Sequence, residues 1–400
     1  MDPTTNPFAP GAGSAPPALT GRDEVIRSAE IALQRIRDGR SEKSQFLLGL
    51  RGVGKTVLLN HIGHRAEELG YHIVPLEAPE GRRLAELLAP ALKSVLLKLS
   101  RIEKAKQFAL SGLAALRGFA SVFKVSIGEI GLEITDAPAA DSGNLEIDLP
   151  ELFEAIGKAA RAAGGCVAIL VDEVQYLNEE DFRALIVAMH RVSQRSLPVV
   201  LFGAGLPQAA GLAGEAKSYA ERLFDFPEVG PLDADAARQA IVRPIEAEGA
   251  SIADAAVDRI VGVTRGYPYF LQEWGKHAWN AAGGPVISEG DVEAASEAAK
   301  RALDKSFFKV RFDRLTPAEQ GYLRAMASLG SGPHRSGDIA KALGRDSQSL
   351  GPTRSSLIRK GMVWSPSHGE TAFTVPLFDE FMTRVMPDWV VASAHPPAGP

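Results

Sequence analysis

A glycine-rich octapeptide is the segment best suited to bind a phosphate group. Residues 49–56 read Gly-Leu-Arg-Gly-Val-Gly-Lys-Thr, which is the G-x-x-x-x-G-K-[ST] pattern of a phosphate-binding loop. In such a loop the main-chain N–H groups close around the α- and β-phosphates, and Lys55 places its charge on the β- and γ-phosphate oxygens, which makes it a candidate catalytic residue too. The Thr56 hydroxyl is a candidate Mg²⁺ ligand. The predicted nucleotide-binding residues are Gly49, Gly52, Val53, Gly54, Lys55, Thr56 and Val57.

The sequence on both sides of the loop fits this interpretation. Residues 46–48 are apolar and resemble a buried strand, and residues 57–69 have the apolar spacing of a helix. The amino end of a helix carries a partial positive charge that favours a bound anion. The sequence therefore predicts a strand, a phosphate-binding loop and a helix in succession, with a nucleotide and Mg²⁺ as ligands.

A second candidate site lies where an apolar strand ends in two acidic residues. Residues 166–171 are all apolar, and Asp172 and Glu173 follow them. Such a run fits a central parallel strand covered on both faces, and ligands of open α/β sheets bind at the carboxyl ends of the strands. We expect Asp172 to hold Mg²⁺ and Glu173 to polarise the attacking water as a catalytic residue.

Composition indicates a globular chain of more than one domain. The 400 residues predict two to three domains, and 45% hydrophobic residues suffice for sizeable cores. The single cysteine, Cys166, argues against a disulfide framework. Apolar runs stay well short of the roughly 18 residues of a membrane span, and the first residues lack a signal-peptide pattern, so a cytoplasmic protein with no membrane partner is expected. A net charge of -5 argues against a surface coated in nucleic acid.

Strands and helices alternate through the first half of the chain, which predicts an α/β fold. The predicted strands are residues 45–50, 71–76, 166–171, 198–203 and 222–227. We expect the parallel sheet of a P-loop NTPase, with helices on both faces, over residues 19–231. A helical lid without strands is expected at residues 232–302, and a winged helix-turn-helix domain at residues 303–390.

Three further segments are predicted to be an insertion and two tails. Residues 85–147 are longer than a simple crossover needs, so we interpret them as an insertion that decorates the sheet, with a β-hairpin at residues 123–134. Residues 1–18 are rich in Pro, Gly and Ala and poor in large apolar groups, which predicts a disordered tail. A second tail is predicted at residues 391–400.

The last module is predicted from three helices and a hairpin. Thr316 caps the first helix and Pro317 occupies its first turn, while Ser336 caps the second helix and Gly344 ends it. The third helix begins near residue 352, and two alternating segments follow within residues 362–375. This is the order of a winged helix-turn-helix domain, whose third helix enters the major groove of DNA.

Basic residues on or near the third helix make double-stranded DNA a candidate partner of residues 336–375. The residues concerned are Arg345, Arg354, Arg359, Lys360 and, at the tip of the wing, His368. Residues 304–388 hold 12 basic and 9 acidic side chains, so the excess of positive charge is mild. Winged helices also dock proteins, and the sequence leaves both a DNA partner and a protein partner or homo-oligomer open.

With these motifs, the chain resembles AAA+ ATPases of the origin-recognition initiator type and neighbouring STAND-type signalling ATPases. The resemblance covers about residues 19–300 and is carried, beside the loop, by Leu19-Thr-Gly-Arg22-Asp-Glu, Asp172-Glu173-Val-Gln175, Leu201-Phe-Gly-Ala-Gly-Leu-Pro207 and Gly266-Tyr267-Pro268. It implies a nucleotide held between the α/β domain and the lid. It also implies that Arg22 lies near the adenine or ribose and that Pro268 touches the nucleotide.

The chain departs from that family pattern at positions that matter for hydrolysis. Gly203-Ala204-Gly205 replaces the polar residue usual at the end of the fourth strand, which predicts slow hydrolysis. Tyr269 stands where replication-type relatives have an arginine in the lid. The resemblance places Arg222 as a candidate arginine finger, reaching a neighbouring subunit or its own γ-phosphate; an ordinary surface ion-pair residue is the alternative.

Three functions fit this sequence. The first is an ATP-dependent switch whose winged helix reports the nucleotide state to DNA or a partner, with slow Mg²⁺-dependent hydrolysis. The second is an oligomeric ATPase that remodels its target, with Arg222 acting in trans. The third is a DNA-binding regulator with a structural ATP site.

Overall fold

The apolar runs of the first half of the chain form a parallel β-sheet. The computed structural model describes residues 1–11, 13–128, 140–218 and 220–389. The strands are β1 (Ser44–Leu48), β2 (Tyr71–Glu77), β3 (Cys166–Asp172), β4 (Val199–Gly205) and β5 (Phe224–Asp225). Their order across the sheet is β2-β3-β4-β1-β5, and every pair is parallel. The predicted α/β fold class is therefore confirmed.

Strand register brings the predicted motifs to one edge of the sheet. Leu48, the last residue of β1, pairs with Gly205 at the end of β4. Val171 of β3 pairs with Gly203 of β4. The loop that follows β1 and the two acids at the end of β3 thus lie at the same carboxyl edge, with only β4 between them.

Helices cover the sheet and belong to the same unit of the chain, Arg22–Gly49 with Lys55–Val229. They are α1 (Asp23–Arg37), α2 (Lys55–Glu68), α3 (Leu84–Leu99), α4 (Glu103–Val122), α5 (Leu145–Ala163), α6 (Glu179–Gln194), α7 (Gln208–Ala216) and α8 (Ala220–Leu223). Leu88 and Phe119 are fully buried in the same hydrophobic cluster as Ile169 of β3. The helices of the predicted insertion therefore form part of the main core and do not merely decorate the sheet.

The β-hairpin predicted at residues 123–134 is not found where the structure describes it. Phe123 closes α4, and residues 125–128 form no strand. Residues 129–134 lie outside the described residues. The alternating pattern at residues 123–128 therefore reflects apolar side chains that pack as a loop, since Phe123, Val125 and Ile127 lie against the core cluster.

The second unit contains Met1–Gly21, the turn Leu50–Gly54 and the chain from Gly230 onward. Its first elements are α9 (Ala234–Ala247), β6 (Ser251–Ile252), α10 (Asp254–Thr264), α11 (Pro268–Ala281), β7 (Val286–Ile287), α12 (Glu289–Leu303) and α13 (Lys309–Phe312). The predicted helices are present, but β6 and β7 form a small parallel pair where no strands were expected. Two-residue strands have too little alternation to be read from sequence.

The C-terminal segment of this unit combines helices with a small antiparallel sheet. Its elements are α14 (Pro317–Ser328), β8 (His334–Arg335), α15 (Ser336–Leu343), α16 (Gly351–Arg359), β9 (Val363–Trp364), β10 (Glu370–Phe373) and α17 (Phe378–Val385). Strand β10 pairs with both β8 and β9. Ser336 is the first residue of α15 and donates a hydrogen bond to the Gly369 carbonyl, so its predicted capping role is wrong.

The first residues of the chain are packed, and the prediction of a disordered tail at residues 1–18 is wrong for them. The Phe8 ring is buried against Gly275, where a Cβ atom would lie 2.7 Å from the ring. The Trp279 indole donates a 2.9 Å hydrogen bond to the Asp2 carbonyl. One large apolar residue and main-chain bonds thus suffice to hold a segment of unfavourable composition. Residues 391–400 lie outside the described residues.

Among the described residues, no helix is long and apolar enough to cross a membrane.

A buried carboxylate organises the C-terminal segment. Glu319 accepts hydrogen bonds from the Thr316 N–H at 2.7 Å, the Ser356 hydroxyl at 2.7 Å and the Lys360 ammonium at 2.8 Å. The first of these completes a capping box with Thr316. Although burial raises its pKa, the hydrogen bonds from Lys360, Thr316 and Ser356 outweigh that effect and lower the pKa of Glu319 to about 2.

We expect Glu319→Gln to destabilise this segment by about 3 kcal/mol at pH 7, because a depressed carboxyl pKa stabilises the fold above its ordinary value of 4.5. In the wild-type protein that stabilisation declines as pH falls from 4.5 towards 2. Amide exchange of residues 317–328 at pH 7 and pH 3 measures it. The exposed Asp338→Asn is the control, and an equal pH response in wild type and Glu319→Gln would contradict the assignment.

Candidate nucleotide-binding site

The phosphate-binding loop lies between β1 and α2, as its sequence predicts. Gly52 and Gly54 have φ angles of +81° and +93°, in the left-handed region where glycine is favoured. The Gly49 N–H donates a 3.1 Å hydrogen bond to the Gly205 carbonyl, which fixes the start of the loop on β4. Helix α2 begins at Lys55, so its amino end, which carries a partial positive charge, follows the loop directly.

Thr56 and Asp172 meet across the sheet edge. The Thr56 hydroxyl donates a hydrogen bond of 2.7 Å to the Asp172 carboxylate. A hydroxyl and a carboxylate oxygen are the hard ligands that Mg²⁺ prefers. The two residues that the sequence assigns to the metal are therefore adjacent, and the donor set fits Mg²⁺.

Burial makes the surroundings of the Asp172 carboxylate favour a positive charge. The pKa of Asp172 is raised mainly by burial and further by the neighbouring charge of Glu173, while the bond from Thr56 and the charge of Lys55 oppose the rise. Lys55 itself is only 8% exposed. Because a desolvated carboxylate is stabilised by a cation, the site is prepared for a metal ion beside the lysine.

Glu173 has an unusual backbone conformation and a defined neighbour. Its φ of 55° lies in the left-handed region, which is uncommon for a residue with a side chain and is often found at functional sites. Its N–H donates a 2.8 Å bond to the Asp172 carboxylate, and the Gln175 side-chain amide donates to the Glu173 carboxylate. Gln175 is not among the predicted site residues; its place two residues after Glu173 is the signal in the sequence that could have indicated it.

The two glycines at the end of β4 leave no room for a polar side chain. A Cβ on Gly203 would lie 2.1 Å from the Phe46 ring. A Cβ on Gly205 would lie 2.6 Å from the Val174 side chain and 2.9 Å from the Gln175 oxygen. The packing around β4 therefore explains why glycines stand where the resembled family has a polar residue.

The remaining predicted binding residues lie in both units. Val53 is buried, Val57 is half-buried in the first turn of α2, and Arg22 is buried directly before α1. Pro268 is the first residue of α11, and the N–H of the following Tyr269 donates a 3.2 Å bond to the Gly52 carbonyl. Nucleotide contacts of Arg22 and Pro268 stay predictions.

Arg222 is far from the loop of its own chain. It is exposed in α8, directly before β5, whose Phe224 pairs with Ser44 at the start of β1. The loop begins at the other end of β1, about 13 Å further along the sheet. Its place before β5, at the amino edge, argues against the alternative that Arg222 reaches its own γ-phosphate. Contact with a neighbouring subunit stays a prediction.

Two of the basic residues predicted to contact DNA are held inside the C-terminal segment. Arg354 donates hydrogen bonds of 2.8 Å to the Thr371 and Ser365 hydroxyls and to the Glu370 carbonyl. Lys360 binds Glu319. These side chains fasten α16 to its own segment, whereas Arg345 and Arg359 are exposed.

Comparison with known proteins agrees with this site. Residues 18–202 match the family model of an AAA ATPase domain. Residues 305–382 match a domain of unknown function (DUF8462). No curated protein matches the chain.

Solved structures resemble most of the chain. A Walker-type ATPase of Pyrococcus abyssi is 18% identical, with 91% of this chain and 96% of that chain covered and a TM-score of 0.56. The RuvB Holliday junction branch migration motor of Thermotoga maritima (16% identity, 88% and 92% covered) has a TM-score of 0.45. The Orc1 protein of Aeropyrum pernix in complex with DNA (17% identity, 92% and 94% covered) has a TM-score of 0.45. At 18% identity, the first likeness establishes the fold alone.

We expect Lys55→Ala to reduce ATP affinity by at least about 100-fold, because a bidentate or charge-assisted contact to phosphate is worth several kcal/mol once desolvated. Equilibrium titration with a fluorescent ATP analogue and Mg²⁺ measures the change. Lys43→Ala removes a lysine at the opposite edge of the sheet, where it pairs with Asp225, and serves as the matched control. Micromolar affinity retained by Lys55→Ala would show that the phosphate lies elsewhere.

Proposed function

We propose that the protein is an ATP-dependent switch, which hydrolyses ATP slowly with Mg²⁺ and reports the bound nucleotide through its C-terminal segment. The observation that carries this proposal is the bond between Thr56 and Asp172 beside the buried Lys55. It brings a lysine, a hydroxyl and a carboxylate to the amino end of α2, the arrangement that a phosphate with its metal requires.

The residues of the site have separate tasks. When bound, Mg²⁺ would neutralise charge on the phosphate oxygens. Thr56 and Asp172 hold it, and Lys55 binds the β- and γ-phosphates. Glu173 orients the attacking water and accepts its proton. Because Glu173 directly follows the metal ligand, small changes at the end of β3 affect both tasks.

The turn Leu50–Gly54 supports a link between the phosphate-binding loop and the C-terminal segment, because the turn and this segment belong to one unit. The Arg51 N–H donates a 3.0 Å bond to the Thr374 carbonyl, and Arg51 Nε donates a 3.3 Å bond to the Gly361 carbonyl. Gly361 and Thr374 flank the β9–β10 hairpin. A nucleotide that alters the turn Leu50–Gly54 would therefore alter the hydrogen bonds of this hairpin, which is the physical basis of the proposed switch.

The C-terminal segment is proposed to be a winged helix-turn-helix domain that contacts DNA or a protein partner. Support comes from the succession of α14, α15 and α16 with a three-stranded antiparallel sheet. Arg345, Arg359 and His368 are exposed and are the candidates for phosphate contact. Arg354 and Lys360 would act by positioning α16.

An oligomeric ATPase is the second candidate. The exposed position of Arg222 at the amino edge of the sheet favours it, because an exposed arginine there is available to a neighbouring subunit. A homo-oligomer would then complete the active site in trans. A DNA-binding regulator with a structural ATP site would retain nucleotide without turnover.

We expect Glu173→Gln to lower kcat by about 100-fold or more while ATP affinity changes less than about threefold, because the water loses its base and Asp172 keeps the metal. Steady-state turnover and equilibrium binding measure the two effects, with the exposed Glu180→Gln as the control. Equal loss of both would contradict the assigned roles. The same assay at several protein concentrations, with and without duplex DNA, separates the candidates, since turnover that rises with concentration favours the oligomer.

The switch itself is tested at Arg51. In the wild-type protein, addition of ATP and Mg²⁺ should change amide exchange in residues 361–374 by about tenfold or more, because a bond of about 1.4 kcal/mol corresponds to that factor. Arg51→Ala removes the Nε donor to Gly361 and should reduce the response, while ATP affinity measured in parallel reports the loop itself. The same response in Arg51→Ala and wild type would contradict the link through Gly361.

A further inference from the structure

The carboxylate of Glu173 needs a partner that fixes its direction. A glutamate side chain has several rotatable bonds, and a general base acts only when it lies within hydrogen-bond reach of the proton that it takes. The left-handed backbone of Glu173 determines where the side chain starts, at φ 55° and ψ 40°, and leaves the outer torsions to be set by neighbours. Gln175 is such a neighbour.

Gln175 connects the ends of β3 and β4. Its side-chain N–H group donates to Glu173 Oε2, and its Oε1 accepts a 2.9 Å hydrogen bond from the Leu206 N–H. Leu206 directly follows β4 and is 1% exposed, so its main chain is a fixed point. Both ends of the amide are thus engaged, and the rotation of Gln175 is determined by a main-chain group of the neighbouring strand.

The glycine at the end of β4 makes this arrangement possible. A Cβ on Gly205 would lie 2.9 Å from Gln175 Oε1 and 2.6 Å from Val174 Cγ2. A contact under about 3.0 Å forces one of the partners to move, so a larger residue at position 205 is incompatible with the observed position of Gln175. The space that a side chain of β4 would occupy is therefore taken by Gln175, which follows β3.

We propose that Gln175 is the positioning residue of the hydrolytic reaction: anchored on the Leu206 N–H, its amide holds the Glu173 carboxylate in the direction of the attacking water. The inference rests on the proposed function of Glu173 as the base. Gln175 is uncharged and exchanges no proton with the substrate. It acts through Glu173 alone and leaves Lys55, Thr56 and Asp172 to bind the nucleotide.

Two substitutions separate the two ends of the amide. Gln175→Leu removes both hydrogen bonds, whereas Gln175→Glu keeps an oxygen for the Leu206 N–H and loses the donor to Glu173. The exposed Gln194→Leu at the end of α6 is the matched control. Without nucleotide, amide exchange at Leu206 should rise by about tenfold in Gln175→Leu and stay near the wild-type value in Gln175→Glu, because only the first loses the acceptor.

Kinetics then test the positioning role. Both variants should lower kcat by about tenfold to 100-fold, the effect of a small misplacement of a catalytic group, while the dissociation constant of ATP stays within about threefold. In a Glu173→Gln background, Gln175→Leu should lower kcat no further, since a residue that acts only through Glu173 has nothing left to position.

The outcomes distinguish this inference from the proposed function. Glu173→Gln with undiminished turnover would overturn the role of Glu173 and this inference with it. A normal loss in Glu173→Gln, together with unchanged or faster turnover in both Gln175 variants, would overturn the inference alone. So would a loss from Gln175→Leu that is equally large in the Glu173→Gln background, or a Leu206 exchange rate that Gln175→Leu does not change.

Discussion

The hydrogen bond between Thr56 and Asp172 is the contact on which the site depends. These residues are 116 positions apart: Thr56 follows β1 and Asp172 ends β3, and these two strands do not touch, because β4 lies between them. They meet only if all three strands end at the same level. The register of three fully covered strands, and hence the apolar packing on both of their faces, therefore determines the geometry of a polar site at their edge.

Burial strengthens the interactions between the polar groups at this edge, and it also removes their hydration. Lys55 and Asp172 are largely removed from water, and the raised pKa of Asp172 reflects that loss of hydration. In a less polar surrounding each charge interacts more strongly with its neighbours than it would at the surface. The same desolvation that destabilises an isolated carboxylate thus increases the affinity of Asp172 for a cation, which under the proposed function would couple nucleotide binding to metal binding.

The sequence predicted the parts of the fold that follow from continuous local patterns. The five strands and the loop were found because apolar runs and the Gly-Lys-Thr spacing are local signals. The order of the strands, the packing of Phe8 on Gly275 and the use of Arg354 inside its own segment depend on residues far apart in the chain. The prediction of disorder from the composition of the first residues was therefore wrong, because the packing of one aromatic ring on a glycine orders a Pro-rich segment.

Gly203 and Gly205 show that the absence of a polar side chain at the end of β4 has a cause in the packing around them. Read alone, they indicate a site that lacks a polar group beside the γ-phosphate and hydrolyses slowly. Their neighbours explain why no side chain stands there: Phe46 and Val174 occupy the space, and the Gln175 amide oxygen lies within 2.9 Å of the position of a Cβ at Gly205. The segment at the end of β3 supplies a polar side chain instead, so that the same short segment carries the proposed metal ligand, the proposed base and the amide that we propose to orient it.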